Sequence, residues 1–89
     1  MDLDALLYHY FGTVALDTLD AAALEMGIDR VGVAFGIERE AGRRFALWAL
    51  LHALGCAPDP RAVFKVPRER QAAEAYARAA VFAERRVDD

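Results

Sequence analysis

Three side chains in this sequence are types that could ligate a metal or carry nucleophilic chemistry: His9, His52 and Cys56. His52 and Cys56 are four residues apart, which would place them on one face of a continuous helix. Gly55 interrupts that helix between them, and His9 would have to come from a separate segment. Three candidate ligands without a paired motif fall short of a zinc pattern, so no metal and no cofactor is expected. As a nucleophile and base, Cys56 and His52 would lack an orienting amide, because the chain contains no Asn and Asp59 is the one acid nearby. There is also no Ser, and Gln71 is the sole side-chain amide. With so few neutral polar groups to hold a substrate, no catalytic residue is assigned and the chain is expected to be non-enzymatic.

Two further patterns concern anions. Gly42-Arg43-Arg44 opens a predicted helix, where free N–H groups and the positive dipole end favour a bound phosphate and two guanidinium groups would strengthen it. Arg43 and Arg44 are therefore the candidate anion contacts. The competing expectation is that they pair with Glu38, Glu40 or the acidic N-terminal half. Ala23, Gly27, Ile28 and Val33 match the spacing of the small residue, turn glycine and core positions of a helix-turn-helix, with 29–35 as the recognition helix. That helix would offer Arg30 but otherwise mainly Val31, Gly32, Ala34 and Phe35, which cannot read base edges. One continuous helix that contains glycine is the simpler reading, and nucleic acid is a disfavoured partner.

The element around which the rest must be arranged runs from Arg43 to Leu54. Between Phe45 and Leu54 its only strongly polar residue is His52, and a helix that is apolar all round is normally buried on most sides. Phe11-Gly12, Phe35-Gly36 and Leu54-Gly55 each place a large apolar residue before a glycine, the pattern of a left-handed helix stop. These stops, with Asp17 or Thr18 as a cap, Asp59-Pro60 as a cap and first position, and Pro67 as a further start, predict helices at 3–11, 18–35, 41–54, 60–65 and 67–86. The helix from 41 lacks a Ser, Thr, Asp or Asn cap. In the second helix Leu24, Ile28, Val31 and Phe35 form an apolar stripe, and in the last Ala72, Tyr76, Ala79, Ala80, Ala83 and Val87 do so. Gly27 and Gly32 either admit a close neighbour or mark a break. Arg70–Glu74 and Glu74–Arg78 have the spacing of helical ion pairs. The fold class is all-α: one domain over 1–89, a small bundle of four main helices plus a short helical turn.

Composition narrows the function classes. Hydrophobic residues make up 56% of the chain, above the roughly 45–50% of ordinary globular sequences, and much of the excess is Ala. A domain this small has more apolar surface than one core readily hides. Net charge is -3, which argues against indiscriminate binding to nucleic acid or anionic membrane. Residues 1–40 carry -6 and residues 41–89 carry +3, an asymmetry that suits attraction between the halves or a head-to-tail dimer. The longest apolar run, residues 45–51, is far short of a membrane span. A single cysteine and an acidic N-terminus without a basic leader segment point to the cytoplasm. Ten of eleven basic residues are Arg, a bias that suggests a bacterial source. Tyr8, Phe64 and Phe82 fit none of the stripes and are the candidate partner contacts. The expected function is protein–protein interaction, most simply as a homodimer. The alternative is a small regulator that binds nucleic acid or a phosphorylated ligand through Arg43, Arg44 and the basic C-terminal half.

Overall fold

The computed structural model describes the backbone of residues 3–87 and the side chains of residues 3–80. Among the described residues the protein is all-α and has no strand. Four main helices and one short one follow in order: α1 Leu3–Phe11, a 3-10 turn Leu16–Thr18, α2 Ala21–Ile37, α3 Ala41–Ala53, α4 Pro60–Val63 and α5 Pro67–Val87. They gather into two compact units, one up to Ala57 and one from Pro58 onward.

In the first unit α1, α2 and α3 pack on one another. Five consecutive residues of α3, Leu47 to Leu51, are buried. Five residues exceed one helical turn, so α3 is covered on every side, as its lack of a polar face requires. Its end is a Schellman motif: the Cys56 N–H donates to the Leu51 carbonyl (2.9 Å), the Gly55 N–H donates to His52 (3.0 Å), and Gly55 takes φ +77°. Gly12 ends α1 in the same left-handed conformation, with φ +75° and its N–H on the Tyr8 carbonyl at 2.9 Å.

Several expectations about α2 are corrected. Asp17 and Thr18 lie in the 3-10 turn, and the cap is Asp20, whose carboxylate accepts from the Ala23 N–H at 2.8 Å. The helix runs unbroken through Gly27 and Gly32, which excludes a helix-turn-helix there. Gly36 does not stop it. Ile37 is 75% exposed, so the apolar contact that a Schellman ending needs is not made. The chain leaves instead through an extended Glu38. The Glu38 carboxylate accepts from the backbone N–H groups of Arg39 (3.1 Å) and Glu40 (3.3 Å), which holds the short link to α3. The predicted stripe is correct: Val31 and Phe35 are buried, and Leu24 and Ile28 are half-buried. Gly27 is buried because the Phe11 ring occupies the space a β-carbon would need.

In the second unit Asp59 caps α4 by accepting from the Arg61 N–H at 2.9 Å, with Pro60 in the first turn. The α4 helix ends at Val63, two residues earlier than expected, and packs on α5. Of the predicted α5 stripe Ala80 lies on the covered face, while the other described positions are displaced from it by one residue. Ala73 is fully buried and Ala77 and Ala80 are half-buried, whereas Ala72, Tyr76 and Ala79 are exposed. Ala83 and Val87, also assigned to that stripe, lie outside the residues whose side chains are described.

Two stability outcomes follow from this packing. Trp48→Ala should lower stability by about 3–5 kcal/mol in urea melts, as truncation of a fully buried aromatic does. The two internal glycines of α2 should respond with opposite signs. Gly32 meets nothing within 4 Å, so Gly32→Ala should stabilise by up to about 1 kcal/mol. Gly27→Ala must displace Phe11 and should destabilise, by about 1–2 kcal/mol net of the helix gain. Equal shifts for the pair would refute the close approach of Phe11 to α2.

Candidate functional site

Of the candidate partner contacts, Tyr8 is 61% exposed on α1. Phe64 is corrected: at 2% exposure it is a buried side chain and offers no surface to a partner. Phe82 lies outside the residues whose side chains are described.

The open apolar surface of the first unit is mostly one that the sequence reading did not single out. Met26 and Val33 are each 65% exposed, and Ile37 is more exposed still. They recur at i, i+7 and i+11, so they share one face of α2, opposite the buried face of Gly27, Val31 and Phe35. A groove of about 370 Å³ runs beside this face, lined by Tyr10, Asp29, Arg30, Val33, Ala34 and Ile37. A second depression of about 400 Å³ adjoins it, formed by Tyr8, Phe11, Met26 and Gly27 among others. Tyr10 and Arg30 line both. The ring of Tyr10 meets that of His9 edge-on, with centroids 4.7 Å apart. Together they form a shallow channel between α1 and α2, apolar in the first groove, where Asp29 and Arg30 are the charged residues, and mixed polar and apolar in the second.

The anion contacts are not brought together in the expected way. The carboxylate of Glu40 caps α3, accepting from the Gly42 N–H at 3.1 Å and the Arg43 N–H at 2.7 Å. It fills the position where a phosphate would have docked. Those two backbone hydrogen bonds, from Arg43 first and then Gly42, hold the Glu40 carboxyl below the ordinary glutamate range. Glu is an unusual cap because its side chain is one methylene longer than Asp. Gly42 eases the fit: a β-carbon there would crowd both carboxylate oxygens at 3.3 Å. Arg44 turns away and lies over the Phe35 ring, 4.6 Å from its centroid, a cation–π contact inside the fold. Arg43 is exposed. In the basic half, Arg61 pairs with Asp59 at 3.2 Å, and Arg70 lies 3.9 Å from Glu74 as its spacing implied. The hydrogen bond from the Arg61 side chain, followed by its backbone N–H, lowers the Asp59 carboxyl, and Asp59 in turn raises Arg61.

The His and Cys side chains are dispersed. His52 stacks at a tilt against Trp48, centroids 5.4 Å apart, and the exposed Cys56 thiol donates to the Leu54 carbonyl at 3.5 Å. Among the described residues no three His, Cys, Asp or Glu side chains converge as a metal site would require. No described helix is long and apolar enough to cross a membrane. Comparison with family models, curated proteins and solved structures finds no match.

The Glu40 cap gives a pH dependence with a definite sign. Its folded pKa is depressed, so its contribution is present at neutral pH and is lost as pH falls through the folded value. Glu40→Gln should therefore lower the urea midpoint at pH 7, and the gap to the parent protein should narrow as the pH falls below the ordinary glutamate value of about 4.3. A gap that persists unchanged into acid would show that the cap does not depend on the ionised carboxylate.

Proposed function

We propose that this protein is a non-enzymatic association domain that binds protein, and in its simplest form a second copy of itself, through the channel between α1 and α2. The observation that carries this reading is the exposed row of Met26, Val33 and Ile37 beside an apolar groove. Large aliphatic side chains aligned along one helix face cost solvation free energy in the monomer, roughly 25 cal/mol for each Å² left in water. An apolar groove beside a helix is a common way for one helix to receive another. The absence of Ser and Asn and the dispersal of His9, His52 and Cys56 support a role without catalysis. The composition supports a cytoplasmic setting and a bacterial source.

The competing phosphate-binding reading loses support from Glu40, which occupies the helix terminus, and from Arg44, which is engaged on Phe35. The two readings differ in their salt response. Binding to a nucleic-acid backbone weakens by powers of ten as salt rises, in proportion to the phosphates contacted, whereas apolar association does not.

Light scattering across a dilution series at low and high salt tests the proposal. The parent protein should associate and remain associated at high salt. Arg43→Ala/Arg44→Ala should leave the association intact. Val33→Asp should weaken it by roughly tenfold or more, the equivalent of about 1.4 kcal/mol, with an unchanged far-UV spectrum. A parent protein that stays monomeric at every concentration would overturn self-association.

A further inference from the structure

The exposed row of α2 carries its own two charges, and they sit on opposite flanks of it. With 3.6 residues per turn, Met26, Val33 and Ile37 stay within about 20° of one line along the helix, while Asp29 falls about 60° to one side and Arg30 about 40° to the other. The two are consecutive, so they stand only about 1.5 Å apart along the axis. Both are exposed, and both line the apolar groove. Among the described residues neither side chain has an ion pair or a hydrogen bond. Glu25, also exposed, lies about 100° from the line on the Asp29 side, so one flank is acidic and the other basic.

This placement distinguishes the two ways in which a helix can meet its own copy about a two-fold axis. In a parallel pair the left flank of one helix meets the right flank of the other at the same height. Asp29 of each copy then faces Arg30 of the other, and the attraction is made twice. In an antiparallel pair like flanks meet, so the acidic flank faces the acidic flank and Arg30 faces the basic one. Like-charge juxtaposition is costly and selects against that orientation. The parallel pair also brings Met26, Val33 and Ile37 each against its own counterpart, an apolar seam flanked by opposite charges as in two-stranded helical pairs.

We infer that α2 pairs with α2 of a second copy, parallel and in register, with Asp29 of each copy facing Arg30 of the other across the Met26–Val33–Ile37 seam. This rests on the self-association proposed above and fixes its occupant and its orientation.

Cross-linking reads the register directly. In a Cys56→Ala background, which removes the exposed native thiol, Val33→Cys and, in a separate chain, Met26→Cys should each form a disulfide-linked dimer under mild oxidation, because each position meets itself. Glu25→Cys, exposed but off the seam, should not. An antiparallel pair centred between Asp29 and Arg30 gives the reverse pattern: neither seam variant cross-links alone, and a mixture of the two does. That pattern overturns the inference, as does cross-linking at Glu25→Cys as ready as at the seam. Charge reversal reads the flanks. Asp29→Arg and Arg30→Asp each turn two attractions into two repulsions and should each weaken association by roughly tenfold at low salt. Mixing these two variants, or combining both exchanges in one chain, should restore association. Circular dichroism melts check that every variant folds. Single reversals that leave association unchanged overturn the inference equally. A parent protein that is monomeric at every concentration defeats the underlying reading instead, whereas a parent that associates without cross-linking at Met26→Cys or Val33→Cys defeats only this one.

Discussion

The thirteen residues of α3 set the constraint on which the first unit depends, because a helix with no polar face has to be covered on all sides before it contributes to stability. Burial of Leu47, Trp48, Leu50 and Leu51 is worth about 1.5–3 kcal/mol for each side chain, offset by the entropy of ordering the segments that cover them. Both α1 and α2 pack against it. The polar devices around α3 act mainly at its ends. Glu40 satisfies two N–H groups at one end, and the Gly55 Schellman motif satisfies carbonyls at the other. Neither end has a free donor or acceptor array left for a ligand, so the geometry that best explains the stability of α3 also removes the strongest anion site.

The α2 helix meets a different demand. Its inner face must reach both neighbours, and it does so with Val31 and Phe35 buried in the core and Gly27 against Phe11. Arg44 reinforces the join by lying over Phe35. Once this face is committed, Met26, Val33 and Ile37 have no route inward, because their positions are fixed on the far side by the helical period. Their exposure is a consequence of rigid geometry and not of loose packing. A helix backbone held in place by a well-packed opposite face would have little conformational entropy left to lose if a partner bound there.

Much of this was legible in the sequence. The fold class, the stops at Gly12 and Gly55 and the Asp59-Pro60 start followed from local chemistry that tertiary structure did not override, and of the segment Arg43–Leu54 expected to be buried the stretch Leu47–Leu51 is. Gly36 misled because a Phe-Gly-Ile pattern marks a stop only when the residue after the glycine folds back, and Ile37 does not. The cap of α3 was missed because Glu is a poor cap in general, and here it caps beside Gly42, where no β-carbon crowds its carboxylate. For α5, the pairs Ala72-Ala73 and Ala79-Ala80 make two adjacent faces equally apolar. Hydrophobic periodicity then cannot choose between them, and packing against other segments decides.

The candidate site was legible in a more limited way. Tyr8 stood off every stripe and is open; Phe64 stood off every stripe and is buried. Phe64 follows a four-residue helix as its extended C-terminal cap, where no periodicity gives its direction. Met26, Val33 and Ile37 could have been found by asking which apolar residues remain once the stripe of Leu24, Ile28, Val31 and Phe35 is removed. Their i, i+7, i+11 spacing is as regular as that of the core face. The same subtraction applied to α5, with the buried face now known, leaves Ala72, Ala75, Tyr76 and Ala79. A chain with 56% hydrophobic residues and few neutral polar ones has more apolar positions than one core face can take, and on α2 the helical period gathers the surplus into a single regular row.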